Sequence, residues 1–143
     1  MQWLRAAGAA TLALGIGAAA APAARQAPAP SIRVVGFAAI FDNDEKIVHA
    51  RPGGVLRRCL EPRAFGVVLD VANIKWGSPY IIDWRLPGKV VHRGQGTSGA
   101  FDAKPDRIHL GFRKKARLAN GPYTFEFYVS GKLLARATVN RKC

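Results

Sequence analysis

Apolar and polar residues alternate with a period of two in five segments of this chain. Such alternation is typical of strands that turn one face toward a core. We expect two further strands, one over Ile32–Phe41 and a short one around Val90 and Val91. The apolar members of the five alternating runs are Phe65, Val67, Leu69 and Val71; Tyr80, Ile82, Trp84 and Leu86; Ile108, Leu110 and Phe112; Tyr123, Phe125, Phe127 and Val129; and Leu133, Ala135, Ala137 and Val139.

Turn-forming residues separate these runs, and no segment keeps a helical period for three turns. Pro87-Gly88-Lys89 and Asn120-Gly121-Pro122 are examples, and Ser130-Gly131-Lys132 predicts a tight hairpin. Several short strands with regular turns predict an all-β sandwich or barrel.

Two features favour an immunoglobulin-like antiparallel β-sandwich of about seven strands. Leu118–Tyr123 has the pattern of a tyrosine corner, in which a Tyr packs inward at the start of the penultimate strand. Trp84 lies in the middle of a third-strand candidate, where such sandwiches bury a Trp. We therefore expect a core containing Trp84, Tyr123, Phe125 and Phe127.

The same segments resemble a bacterial secreted immunoglobulin-like domain family of unknown function. The similarity covers Phe65–Leu69, Asp83–Pro87 and, most extensively, Leu118–Ala135. The last stretch resembles a hairpin of the pattern "pGxWtFEvyxxgrkLaexxFxV", with Tyr123 where the family usually has Trp and Thr138 near where it has Phe. The resemblance implies the fold and no particular activity.

The first residues have the pattern of a secretory signal peptide. A positive charge at Arg5 precedes the uncharged apolar run 6–21, and small residues follow around Ala20 and Ala23, where cleavage would fit. We expect a signal peptide over 1–23, a disordered Pro- and Ala-rich lead-in over 24–31, and one domain over 32–143. The alternative is an uncleaved anchor, but the run is short and rich in Ala and Gly. The predicted location is secreted or periplasmic, without a transmembrane segment in the mature form.

Cys59 and Cys143 are the only cysteines. In an oxidising compartment the simplest expectation is one disulfide between them. Intermolecular pairing through Cys143 and two free thiols are the alternatives.

The charge balance is strongly basic, with 22 Lys and Arg against 9 Asp and Glu and a formal net charge of +13. Such a surplus attracts anionic partners such as lipopolysaccharide, anionic lipid or acidic glycans. Export disfavours genomic DNA, and no specific nucleic acid is expected. Two sets of cations are candidates for an anion site if they lie at the same end of the sandwich, the alternative being solvated turns; they are Arg57, Arg58 and Arg63, and Arg113, Lys114, Lys115 and Arg117.

The turn sequence Trp76–Tyr80 carries two aromatic residues, which on exposed loops can stack on sugar rings or partner residues. Tyr80 is in phase with Trp84 and is expected to be buried, so Trp76 is the candidate partner-contact residue.

Catalytic, metal and cofactor sites are not expected. His49, His92 and His109 form no metal-binding spacing. Gly94–Gly99 spells G-x-G-x-x-G, but loop-forming residues follow it, so we interpret it as a flexible connection rather than a nucleotide site.

The leading hypothesis is a non-enzymatic binding or accessory protein of the bacterial envelope that contacts anionic components through a basic face. The alternatives are an enzyme or enzyme inhibitor with a site built from loops, and a structural subunit of a secreted assembly. A His beside an acid in a pocket would favour the enzyme, a continuous Arg/Lys face the anion binder, and a long apolar edge strand the assembly subunit.

Overall fold

The computed structural model describes residues 17, 19–20, 22–23, 25–39, 48–99 and 106–143, so most of the expected signal peptide lies outside the described residues. The described residues form a three-stranded sheet in the order β1-β3-β6 and a five-stranded sheet in the order β2-β8-β7-β4-β5. The strands are β1 (Ser31–Ala38), β2 (Val55–Leu56), β3 (Ala64–Ala72), β4 (Pro79–Leu86), β5 (Lys89–Thr97), β6 (Asp106–Arg113), β7 (Gly121–Val129) and β8 (Lys132–Arg141). This is an immunoglobulin-like sandwich, as the alternation, the tyrosine-corner pattern and the position of Trp84 together predict.

Trp84 lies at the centre of the core between the two sheets. Its ring centroid is 4.7 Å from that of Phe65 on β3, 5.3 Å from Phe112 on β6 and 5.0 Å from Phe125 on the neighbouring β7. Tyr123, Phe125 and Phe127 are buried with it. Tilted and edge-on ring contacts of this kind add to the free energy of burial.

A tyrosine corner fixes the entry into β7. The Tyr123 hydroxyl donates a hydrogen bond of 2.8 Å to the Ala119 carbonyl, four residues upstream, and its ring is fully buried. The connection between β6 and β7 is thereby held against the core.

The hairpin between β7 and β8 turns as expected at Ser130 and Gly131. Both residues have positive φ, 48° and 78°, which is the backbone of a type I′ turn. The twist of that turn matches the twist of the strands it joins.

Of the strands in the described residues, β2 is the one that was not expected from the sequence. It is only two residues long and runs parallel to β8, pairing Val55 with Asn140 and Leu56 with Arg141. A two-residue strand is too short to show a period.

The interpretation of Gly94–Gly99 as a flexible connection is wrong for its first four residues, which belong to the nine-residue β5. Gly94 pairs with Ile82 and Gly96 with Tyr80 on β4. A Cβ on Gly96 would lie 2.9 Å from the Tyr80 hydroxyl oxygen, so glycine allows that ring to lie across the strand. Glycines pair with a neighbouring strand through their backbone hydrogen bonds alone. They add no apolar or polar side chain to the alternating pattern, so the pattern did not indicate this half of β5.

At the other boundaries the differences are small. The first strand begins at Ser31, the last residue of the expected lead-in, and ends at Ala38. The last two residues of the strand expected over Ile32–Phe41 lie outside the described residues. Within the described part of the chain, no helix is long and apolar enough to cross a membrane.

Candidate functional site

The structure brings the two sets of candidate cations to the same end of the sandwich. Arg57, Arg58 and Arg63 lie on the connection from β2 to β3, and Lys114, Lys115 and Arg117 follow β6. The Lys114 amide donates to the Arg63 carbonyl at 2.9 Å, and the Leu118 amide donates to the Pro62 carbonyl at 3.0 Å. We call the surface formed by Arg57, Arg58, Arg63, Arg113, Lys114, Lys115 and Arg117 the basic end.

Arg141, which sequence reasoning did not single out, holds the two connections together from inside. It is almost completely buried, and its guanidinium donates to the Leu118 carbonyl at 2.8 Å and to the Pro62 carbonyl at 3.1 Å. Burial lowers the pKa of this guanidinium from its ordinary value. Alternate residues of β8 face the core, and Arg141 comes two residues after the buried Val139. The alternation along β8 therefore indicates that Arg141 lies inside the domain.

The disulfide between Cys59 and Cys143 anchors the same end. The two Cα atoms lie 5.5 Å apart, a separation usual for bonded cysteines. Asn120 adds two hydrogen bonds to the backbone of Cys143, accepting from its amide at 2.9 Å and donating to its carbonyl at 3.2 Å. Covalent and hydrogen-bonded ties therefore hold the connections that carry the basic side chains.

Positive charge at the basic end is only partly neutralised. The Glu61 carboxylate pairs with two arginines: its Oε1 lies 3.5 Å from Nε of Arg63, and its Oε2 lies 3.4 Å from Nη2 of Arg113. Within the described ranges, the other members of the basic end are exposed and form no ion pair; they are Arg57, Arg58, Lys114, Lys115 and Arg117. Among the described residues, Glu61 is thus the one acidic side chain that forms an ion pair with any of the seven cations of the basic end, and it pairs with two of them.

A cleft of about 550 Å³ opens beside the basic end, between the β4–β5 hairpin and the connection from β6 to β7. The hairpin contributes Leu86, Lys89, Val90 and Val91, and Tyr123 lies at its base. The connection contributes Lys114, Lys115, Ala116, Arg117, Leu118 and Ala119.

His92 lies near this cleft, next to its lining residue Val91. Its ring stacks on Phe112 with 4.5 Å between centroids and 9° between planes. Burial and the nearby charge of Lys114 lower the pKa of His92, so the imidazole is neutral at physiological pH. Among the described residues His92 forms no ion pair with a carboxylate, and Lys114 is the charged group that lowers its pKa.

The other two histidines lie on the three-stranded sheet side. Nδ1 of His49 accepts a hydrogen bond of 2.8 Å from the Ala39 amide, and burial followed by the charges of Arg58 and His109 lowers its pKa. No group of three His, Cys, Asp or Glu able to hold a metal ion occurs among the described residues.

The outer face of the five-stranded sheet carries an ion-pair network that sequence reasoning did not predict. Asp83 and Glu126 are opposite each other on β4 and β7, and both are buried. Arg93 binds Asp83 through two nitrogens at 2.6 and 2.7 Å, and Arg85 bridges both carboxylates. The hydrogen bonds from Arg93 keep the pKa of Asp83 below its ordinary value, and that from Tyr128 does the same for Glu126. These acids are therefore held ionised and occupied, which suits a structural role.

Trp76 lies at the end of the sandwich opposite the basic end. It is 68% exposed, and its loop is held by Ser98, whose hydroxyl accepts from the Ser78 amide at 2.9 Å and donates to the Lys75 carbonyl at 2.6 Å. The exposed ring and the basic end do not form one surface.

We expect Trp76→Ala to leave the thermal melt nearly unchanged, because an exposed ring loses little buried area on truncation. Circular dichroism melts of the wild type and the variant measure this. A fall in Tm of more than about 5 °C, which corresponds to about 1 kcal/mol for a domain of this size, would show that the ring stabilises the fold.

Comparison with known proteins yields a similarity of fold. No protein-family model matches the chain, and no curated protein matches it in sequence. Among solved structures, the chain is similar to the crystal structure of an immunoglobulin-like protein from Pseudomonas aeruginosa, with 14% identity and a TM-score of 0.49. That similarity covers 81% of this chain and 98% of the other.

Proposed function

We propose that this protein is an exported, non-enzymatic binding module of the bacterial envelope that binds an anionic envelope component through the basic end. The observation that carries the proposal is the meeting of two basic connections, distant in sequence, at one end of the sandwich. In the part of the chain that the structure describes, two of these seven cations pair with Glu61 and the other five form no ion pair.

The chemistry of these side chains suits phosphate and carboxylate groups. Arg presents a planar fork that binds either group with two hydrogen bonds, whereas Lys acts as a compact charge. The disulfide and Arg141 hold the connections in place before binding. Pre-ordering of this kind reduces the entropy lost on association.

Export and the lack of catalysis rest on separate observations. The apolar run after Arg5 and the Cys59–Cys143 disulfide both favour an oxidising compartment. Against an enzyme, His92 lies near Lys114 and pairs with no acid among the described residues, and Asp83 and Glu126 form ion pairs with arginines.

Assembly through an edge strand is less well supported. The strand β5 is at the edge of its sheet and carries the exposed Val90, but the charged Lys89 and Arg93 flank that residue. Charged residues on an edge disfavour pairing with another chain.

The test is binding of the exported protein to isolated envelope fractions across a salt series, beside a variant in which Arg113, Lys114, Lys115 and Arg117 are changed to Ser. We expect binding that weakens steeply with salt and falls on the order of 100-fold or more in the variant. Each Lys or Arg near an anionic surface contributes about 1 kcal/mol at moderate ionic strength.

A control variant removes the same number of charges elsewhere. Arg25, Arg51, Lys75 and Lys132 are exposed and lie outside the basic end, and changing them to Ser should weaken binding much less. Equal losses in the two variants would mean that net charge alone drives binding. Binding that persists at high salt would exclude an electrostatic mechanism.

A further inference from the structure

The cleft beside the basic end has an apolar wall and a cationic rim, which suit an apolar and an anionic part of one ligand. Leu86, Val90 and Val91 of the β4–β5 hairpin form an apolar wall, and Val90 is 40% exposed. Leu118 and Tyr123 close the bottom. Displacing water from this wall favours an apolar group of a ligand.

The rim of the cleft is cationic. Lys89 comes from the hairpin, and Lys114, Lys115 and Arg117 come from the connection opposite, so cations stand on both sides. None of the described residues that line the cleft is acidic. An anionic head placed between the two sides is attracted by both.

We propose that this cleft binds an amphiphilic anion, a phosphate or carboxylate group joined to a short apolar chain. The head lies at the rim between the Lys and Arg side chains, and the chain packs against Leu86, Val90 and Val91. This inference rests on the proposed function and specifies its ligand, because an anionic amphiphile is the chemistry of a lipid head with the first part of its chain. The volume of about 550 Å³ lies within the range of small-molecule clefts.

A second concave region does not have this character. It lies on the three-stranded sheet, has a volume of about 650 Å³ and is lined by Arg33, Asp70, Asp106 and Arg107 among others. Asp70 is paired with both arginines, and its pKa is lowered by the hydrogen bond from Arg107 and then by that from Arg33. Charges that are already paired within the protein leave little attraction for an anion.

The test is calorimetric titration of the exported protein with four probes: octyl phosphate below its micellar concentration, butyl phosphate, inorganic phosphate and octanol. A fully buried methylene contributes about 0.8 kcal/mol, or about fourfold in affinity. We expect octyl phosphate to bind at least tenfold more tightly than butyl phosphate. Inorganic phosphate and octanol, each with half of the recognised chemistry, should bind more weakly than either ester.

Two pairs of matched variants locate the site. Val90→Ser should remove most of the chain-length dependence, whereas Val55→Ser, at a valine of similar exposure (39%) on β2, should not change it. Lys89→Ser should weaken binding of octyl phosphate severalfold, whereas Lys132→Ser, in the hairpin at the opposite end, should not. Thermal melts verify that each variant is folded.

The outcomes separate this inference from the proposed function. If octyl phosphate binds no better than inorganic phosphate, or binds Val90→Ser as well as the wild type, the cleft is not an amphiphile site. Envelope binding that is still lost in the four-cation variant would then leave the proposed function standing. If octyl phosphate shows no preference for the cleft and the four-cation variant still binds the envelope as the wild type does, both proposals are overturned.

Discussion

Replacing Cys59 and Cys143 together by Ser is expected to lower the free energy of unfolding by about 4 kcal/mol. The bridge joins residues 84 positions apart, and a cross-link closing so long a loop removes much conformational entropy from the unfolded chain. Without it, the end of the chain keeps its two hydrogen bonds to Asn120, and the connection after β2 keeps the hydrogen bond between Arg141 and the Pro62 carbonyl. Urea denaturation of the double variant and of the oxidised wild type measures the difference.

The single-protein control is the wild type with its disulfide reduced, which should lose a similar amount of stability. Agreement between the reduced protein and the double variant would assign the loss to the bridge rather than to the serines. A difference between oxidised wild type and double variant below about 1 kcal/mol would contradict the expectation of a cross-link that limits the unfolded state.

Tyr123→Ala is expected to cost about 3–5 kcal/mol, the usual range for truncating a large buried aromatic side chain. The ring is fully buried and meets Phe65 edge-on, with 5.0 Å between centroids. Its hydroxyl also holds the connection between β6 and β7 through Ala119. Because that connection carries Lys114, Lys115 and Arg117, the variant should lose order at the basic end as well as stability.

Tyr123→Phe separates the ring from the hydroxyl. It keeps the aromatic packing and removes the 2.8 Å hydrogen bond to the Ala119 carbonyl, which still accepts a longer one of 3.5 Å from Arg141, so we expect a loss of about 1 kcal/mol. Chemical denaturation of the two variants measures both values. If Tyr123→Ala costs no more than Tyr123→Phe, the ring does not contribute to the core as the structure indicates.

Much of the fold could be predicted because long half-buried strands display their period. Phe125 and Phe127 on β7 alternate with outward residues, and both are buried. The tyrosine corner was visible because its residues are adjacent in sequence. The strand β2 is too short for a period, and the far half of β5 contains Gly94 and Gly96, whose backbones pair without a side chain that marks a face.

The candidate site could be predicted only in part, since it depends on pairings between distant segments. The basic residues were evident from composition, but their convergence depends on the contact of Arg63 with Lys114 across the ends of β3 and β6. The cleft lies between the β4–β5 hairpin and the connection from β6 to β7. No sequence pattern common to these two segments indicates that they lie side by side. The Asp83–Glu126 pair likewise follows from the register of β4 with β7.

The most direct test maps which backbone amides are covered when the protein binds the envelope component. We would measure amide hydrogen exchange of the exported protein with and without vesicles prepared from the binding envelope fraction, at low and high salt. We expect the amides of residues 57–61, 63 and 113–119 to exchange more slowly with vesicles at low salt and to regain their free rates at high salt, while those around Trp76 and Ser130 keep their rates throughout. Protection centred on the Trp76 end, equal protection of both ends or no protection at low salt would contradict the assignment of binding to the basic end.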